Sequence, residues 1–94
     1  MGEGFRMKVS KVNGKCPAGY KEDDVIKIET RGNILIARDN VICGDLFHAI
    51  YPACKAVLLG GELPWQDKNK RFKIGCPDPE NQVVVNIKRV KTIH

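Results

Sequence analysis

Four cysteines, Cys16, Cys43, Cys54 and Cys76, are the residues of this 94-residue chain best suited to chemistry. A thiolate binds soft metals, acts as a nucleophile and exchanges with disulfides, and its reactivity follows its pKa. No two of the four are close in sequence, so there is no Cys-x-x-Cys pair. Zinc ribbons, thioredoxin-type redox pairs and ferredoxin runs all need such short spacings. A site here would have to be assembled from separate segments by folding. Three of the cysteines sit where a thiol can be presented. Cys16-Pro17 and Cys76-Pro77 fall in a loop and at a strand end, because proline holds the residue before it in extended backbone. Cys43 precedes a helical pattern, and the free N–H groups and dipole of a helix start favour a thiolate. Cys54 lies on the apolar stripe of that helix with Phe47, Ile50 and Val57, and reads as a small core hydrophobe. On a straight helix it would stand about 16 Å from Cys43, too far to share one metal ion.

His48 follows Cys43 by five residues and can face the same loop-side site. Cys16, Cys43, Cys76 and His48 together would suit zinc or an iron–sulfur centre, or the thiols could act as a redox group. The structural alternative is strong for all of them, since free cysteine is among the most buried residue types. Asp78 and Glu80 flank Pro79 and could assist proton transfer, although turns attract these residues for backbone reasons. Gly60-Gly61 lacks the helix motif that follows a phosphate loop. No nucleophile–base pair can be placed, so an enzyme is the less favoured class.

The elements that must position these residues follow from periodicity. Phe5, Met7 and Val9 alternate with Arg6, Lys8 and Ser10, the period of a strand with one buried face. Asn13-Gly14 marks a turn. Val25 to Glu29 and Ile34 to Ala37 read as a hairpin around Arg31-Gly32-Asn33. Leu46, Phe47, Ile50, Cys54, Val57 and Leu58 recur at helical steps. Asp45 is the expected N-cap, and Gly60-Gly61 the C-terminal stop. Pro52 inside the pattern predicts a kink, or a break into two short helices after Tyr51. Arg71 to Cys76 and Val83 to Val90 are two further strands that pair with each other. The fold class expected is α+β, with about five mostly antiparallel strands and one Pro-kinked helix between strands 3 and 4.

The composition bounds the rest. Ninety-four residues, 43% of them hydrophobic, fit one domain spanning residues 1–94 and exclude whole-chain disorder. No apolar run approaches the roughly 18 residues of a membrane span. The first residues lack a secretory pattern, so the cytoplasm is the expected compartment and a disulfide framework is the less favoured state, open only for a hyperthermophile source. Sixteen Lys and Arg against 11 Asp and Glu give a formal charge of +5. That charge is compatible with nucleic acid. The three Phe, two Tyr and one Trp offer few parts for base stacking, and no helix-turn-helix pattern appears. Nucleic acid is the less favoured partner on those grounds.

Four segments carry a resemblance. Cys-Pro-Ala-Gly-Tyr-Lys (16–21), Leu-Phe-His-Ala-Ile-Tyr-Pro (46–52), Gly-Gly-Glu-Leu-Pro-Trp (60–65) and Cys-Pro-Asp-Pro-Glu-Asn (76–81) occur in that order along nearly the whole chain. Together they resemble a family of small prokaryotic proteins defined by shared cysteines. The resemblance implies that the positions of Cys16, Cys43 and Cys76 recur, while that of Cys54 is usually apolar. It implies no established activity. It also implies association with iron–sulfur or oxidoreductase proteins, because some relatives are joined to or encoded beside them. Where the family has Cys-Pro before the helix, this chain has Cys43-Gly44.

Two functional classes follow. The first is a small binding or accessory protein with a cysteine-based metal, iron–sulfur or redox site, whose partner is an oxidoreductase or another protein. The second is a metal-free protein-interaction module with structural cysteines. Its surface would be Gly60, Gly61 and Trp65, together with Asp78 and Glu80. An exposed Trp65 favours the second class. A third reading, an enzyme with Cys43 as nucleophile, requires one thiol far more reactive than the others.

Overall fold

The structure is a computed structural model and describes residues 3–31, 34–38, 42–78 and 80–91. Gly32 and Asn33 of the expected turn, Pro79 and His94 lie outside the described residues. The element order is β1 (Gly4–Val12), β2 (Val25–Arg31), β3 (Ile34–Arg38), α1 (Gly44–Leu58), β4 (Phe72–Gly75) and β5 (Val83–Val90). This is a small α+β domain with its helix between the third and fourth strands. The five strands form one antiparallel sheet in the order β3-β2-β1-β5-β4. Both expected hairpin pairs are present, β2 with β3 and β4 with β5. The first strand is longer than its apolar alternation suggests, running to Val12 through a register shift between Val9 and Lys11.

The alternation in β1 separates two faces. Phe5, Met7 and Val9 are buried while Arg6, Lys8 and Ser10 are exposed. Opposite them Ile26 and Ile28 of β2 and Val85 and Ile87 of β5 complete one apolar surface. Helix α1 covers that surface with Leu46, Ile50, Cys54 and Val57, spaced by three and four residues. Phe5 and Phe72 meet edge to face, with ring centroids 6.4 Å apart, and so join β1 to β4 across β5. Arg89 ties the end of the helix to the sheet. Its guanidinium donates to the Val57 carbonyl at 3.2 Å and to the Glu3 carboxylate at 3.1 Å.

One expectation for the helix needs correction and another is narrowed. The N-cap is Cys43, with extended backbone and no side-chain capping bond, and Asp45 lies inside the first turn. A carboxylate there still meets the positive end of the helix dipole. Of the two outcomes that Pro52 allowed, the break into two helices does not occur, and α1 is continuous from Gly44 to Leu58. His48 and Pro52 are both exposed, so the His48 carbonyl that loses its N–H partner faces water rather than the core. At the other end Gly60 has φ of +89°, a conformation that glycine adopts without strain. Among the described residues no helix is long and apolar enough to cross a membrane.

Phe72 is 1% exposed, and a domain this small has little stability in reserve. Phe72→Ala should therefore cost about 3–5 kcal/mol in urea unfolding. Trp65→Ala, at a site 55% exposed, should change stability by no more than about 0.5 kcal/mol.

Candidate functional site

Cys16 opens a tight turn in which the Gly19 N–H donates to the Cys16 carbonyl at 2.9 Å. Gly19 closes it at φ +84°. The turn aims Tyr20 inward, where it is 4% exposed. Its hydroxyl oxygen accepts the Cys43 backbone N–H at 2.8 Å. That bond seats the start of α1, since the Cys43 carbonyl in turn accepts the Phe47 N–H. Burial raises the Tyr20 pKa, the bond from Cys43 opposes the rise, and the nearby Cys43, Cys16 and Asp24 add to it. Tyr20 thus links the Cys16 turn to the Cys43 helix start. Cys16 and Cys43 are both half-buried and pack against the core.

Cys76 closes β4 and is buried. Its N–H donates to the Val83 carbonyl at 2.9 Å, and its sulfur accepts the Val83 N–H at 3.2 Å. The turn between them is organised by Asp78, whose Oδ1 accepts the N–H groups of Glu80 and Asn81 at 3.0 and 3.1 Å. Those bonds, Asn81 first and then Glu80, hold the Asp78 carboxyl below its ordinary pKa. Asn81 in turn uses Oδ1 to accept the Lys15 N–H at 2.9 Å. A Cβ on Gly14 would lie 2.5 Å from that oxygen, so glycine is what lets the two loops dock. The Cys16 and Cys76 loops are joined by Asn81, and the Cys16 and Cys43 segments by Tyr20.

The three cysteine segments therefore share one end of the sheet. Cys16, Cys43, Cys76 and His48 are all described, yet among the described residues no group of three or more His, Cys, Asp or Glu is placed to hold a metal ion. His48 is exposed on α1. Cys54 is in the core as its spacing implied, and burial pushes its thiol up to about 12. All four cysteines are free thiols.

The second candidate surface is braced differently. After α1, the Gly60 and Gly61 N–H groups donate to the carbonyls of Val57 and Ala56. Gln66 Oε1 then accepts the Leu63 N–H at 2.6 Å, and its Nε2 donates to the Lys70 carbonyl at 3.0 Å. Asp67 Oδ1 accepts the N–H groups of Asn69 and Arg71. The loop is held by its own polar side chains and leaves Trp65 55% exposed; Leu59, at the end of the helix that precedes the loop, is 76% exposed. This loop borders Glu3 and Arg89 near the C-terminal end of β5. The turn with Asp78 and Glu80 precedes β5. The two parts of the expected interaction surface thus sit at opposite ends of one strand, about 24 Å apart at strand rise.

Sequence reasoning missed Tyr20 and Glu29. Tyr20 had a signal, being an aromatic directly after a Pro-Ala-Gly turn. Glu29 had none: it is fully buried in a strand and pairs with Arg31 at 2.6 Å. Comparison with protein-family models, curated proteins and solved structures gave no match to this chain.

Tyr20→Phe removes the acceptor of the Cys43 N–H and should cost about 1–3 kcal/mol of unfolding free energy. The pH dependence has a definite sign. The folded Cys54 thiol keeps its proton to about 12, above the ordinary 9.0. Its contribution is full below the unfolded value and is lost as pH rises through the folded one, and Tyr20 acts in the same direction. Unfolding free energy should fall between pH 9 and 12, with a limiting slope from Cys54 of about 1.4 kcal/mol per pH unit. Cys54→Ala should remove that slope, measured by urea titration across the range.

Proposed function

We propose that this protein is a binding module rather than an enzyme, with structural cysteines and a contact surface centred on Trp65 and Leu59. The observation that carries the reading is Trp65, more than half exposed on a loop whose bracing does not use it. Exposed tryptophan is enriched among residues that dominate binding energy. Leu59 and Trp65 are the exposed large apolar side chains of the described residues, and they flank the segment 60–64 on either side. The cysteines support the same reading. Cys54 is core, and Cys76 is engaged by the Val83 N–H.

A second reading keeps the cysteine site, because the segments of Cys16, Cys43 and Cys76 lie at one end of the sheet. In that case those thiols, with or without His48, bind zinc or an iron–sulfur centre, or act as a redox group with an oxidoreductase partner. Untagged protein purified without oxygen separates the two. The interaction module should carry four free thiols and no stoichiometric zinc or iron. About one equivalent of metal, lost in Cys76→Ser and kept in Cys54→Ala, would establish the cysteine site instead. For the module itself, wild-type and Trp65→Ala baits compared side by side should differ in the proteins they retain while melting alike. Identical retained proteins would remove Trp65 from the binding surface.

A further inference from the structure

The sheet face turned away from α1 carries its own pattern, visible only through strand register. Lys27 of β2 lies opposite Arg38 of β3 on one side and Arg6 of β1 on the other. Arg6 lies opposite Lys88 of β5. The pairing of Phe72 with Ile87 sets Arg71 beside Lys88, and Arg6, Lys8, Arg71 and Lys88 line one open concavity. A row of cationic positions thus runs from β3 across β2, β1 and β5 to Arg71, the residue just before β4. At about 4.8 Å per strand it extends about 19 Å. Lys8 and Lys73 occupy the next row, separated by Asn86.

Such a row works against the fold, because like charges directly opposite each other destabilise a sheet. Acids offset it in part. Asp23 pairs with Lys8 at 3.5 Å, both side chains being exposed, and Glu29 pairs with Arg31. Arg6, Arg71 and Lys88 are exposed and form no ion pair among the described residues.

We infer that this face binds the phosphodiester backbone of a nucleic acid duplex. Regularly spaced cations match regularly spaced phosphates, and such contacts bring affinity without sequence readout. A single strand fits less well, because it needs aromatic platforms for its bases. The six aromatic residues are elsewhere: Phe5, Phe72 and Tyr20 are buried, Phe47 and Tyr51 are on α1, and Trp65 is in its loop. A lipid surface needs an apolar anchor among the charges, and the exposed large apolar residues of the described chain are Leu59 and Trp65. Protein interfaces have cores depleted in lysine. This inference does not rest on the Trp65 surface. It reverses the expectation drawn from the scattered lysines in the sequence.

The test is fluorescence anisotropy with a short mixed-sequence DNA duplex over a range of salt. Binding should be on the order of 1–100 µM at physiological salt. The logarithm of affinity should fall against log salt with a slope of about −4, as four or five phosphates are neutralised. Arg6→Gln with Lys88→Gln should reduce that slope by about 2. Lys15→Gln with Lys68→Gln makes the same charge change at exposed loop positions and should leave the slope unchanged. The row variant should keep a cooperative melt no lower than wild type at low salt. No binding at low salt, equal loss in both variants, or a lower melt of the row variant would overturn the inference. Tighter binding to the matching single strand or to phosphatidylserine vesicles would overturn it as well.

Discussion

The pairing of β1 with β5 is the constraint on which the rest of this structure depends. Strand β1 is hydrogen-bonded along both edges, to β2 on one side and to β5 on the other. Its apolar residues Phe5, Met7 and Val9 are almost wholly buried. Without β5, β1 would be an edge and β4 would have no partner. The surface that α1 covers would also lose Val85 and Ile87. The cysteine end depends on the same contact, because Asn13 donates to the Gln82 carbonyl just beyond it.

Much of this was legible from local pattern. Alternation in β1 and β5 and the helical recurrence from Leu46 to Leu58 each report which side chains face the core. Cys54 was legible for the same reason, since a stripe position fixes burial without reference to the rest of the chain. The cap was not legible. Asp45 has the right chemistry, but the helix start is fixed from outside by the Tyr20 hydroxyl on the Cys43 N–H. The unbroken passage through Pro52 depends on which side of the helix meets solvent, which periodicity alone does not weigh against the lost hydrogen bond.

The candidate surfaces divide along the same line. Cys16 and Cys76 were singled out because proline follows each, and proline marks where regular structure stops. It does not say where the loop goes afterwards. The docking of Lys15 on Asn81 requires long-range pairing that no local pattern contains. The cationic row is the extreme case. Arg6, Lys27, Arg38, Arg71 and Lys88 are scattered in sequence, and only the register of four strand pairs aligns them.

The sheet order also sets the sequence of events during synthesis. The chain is made from β1 onward, and β5 is the last strand of the sheet to leave the ribosome. Until it does, β1 keeps one bare edge and the hairpin of β2 and β3 has only β1 beside it. Local hairpins form early, but closing the loop between residues 12 and 83 carries the entropy of a long excursion. The nascent domain therefore holds an open edge for nearly the whole of its translation. That edge belongs to the strand carrying Arg6 and Lys8, and charges along an unpaired strand discourage it from pairing with a neighbour's.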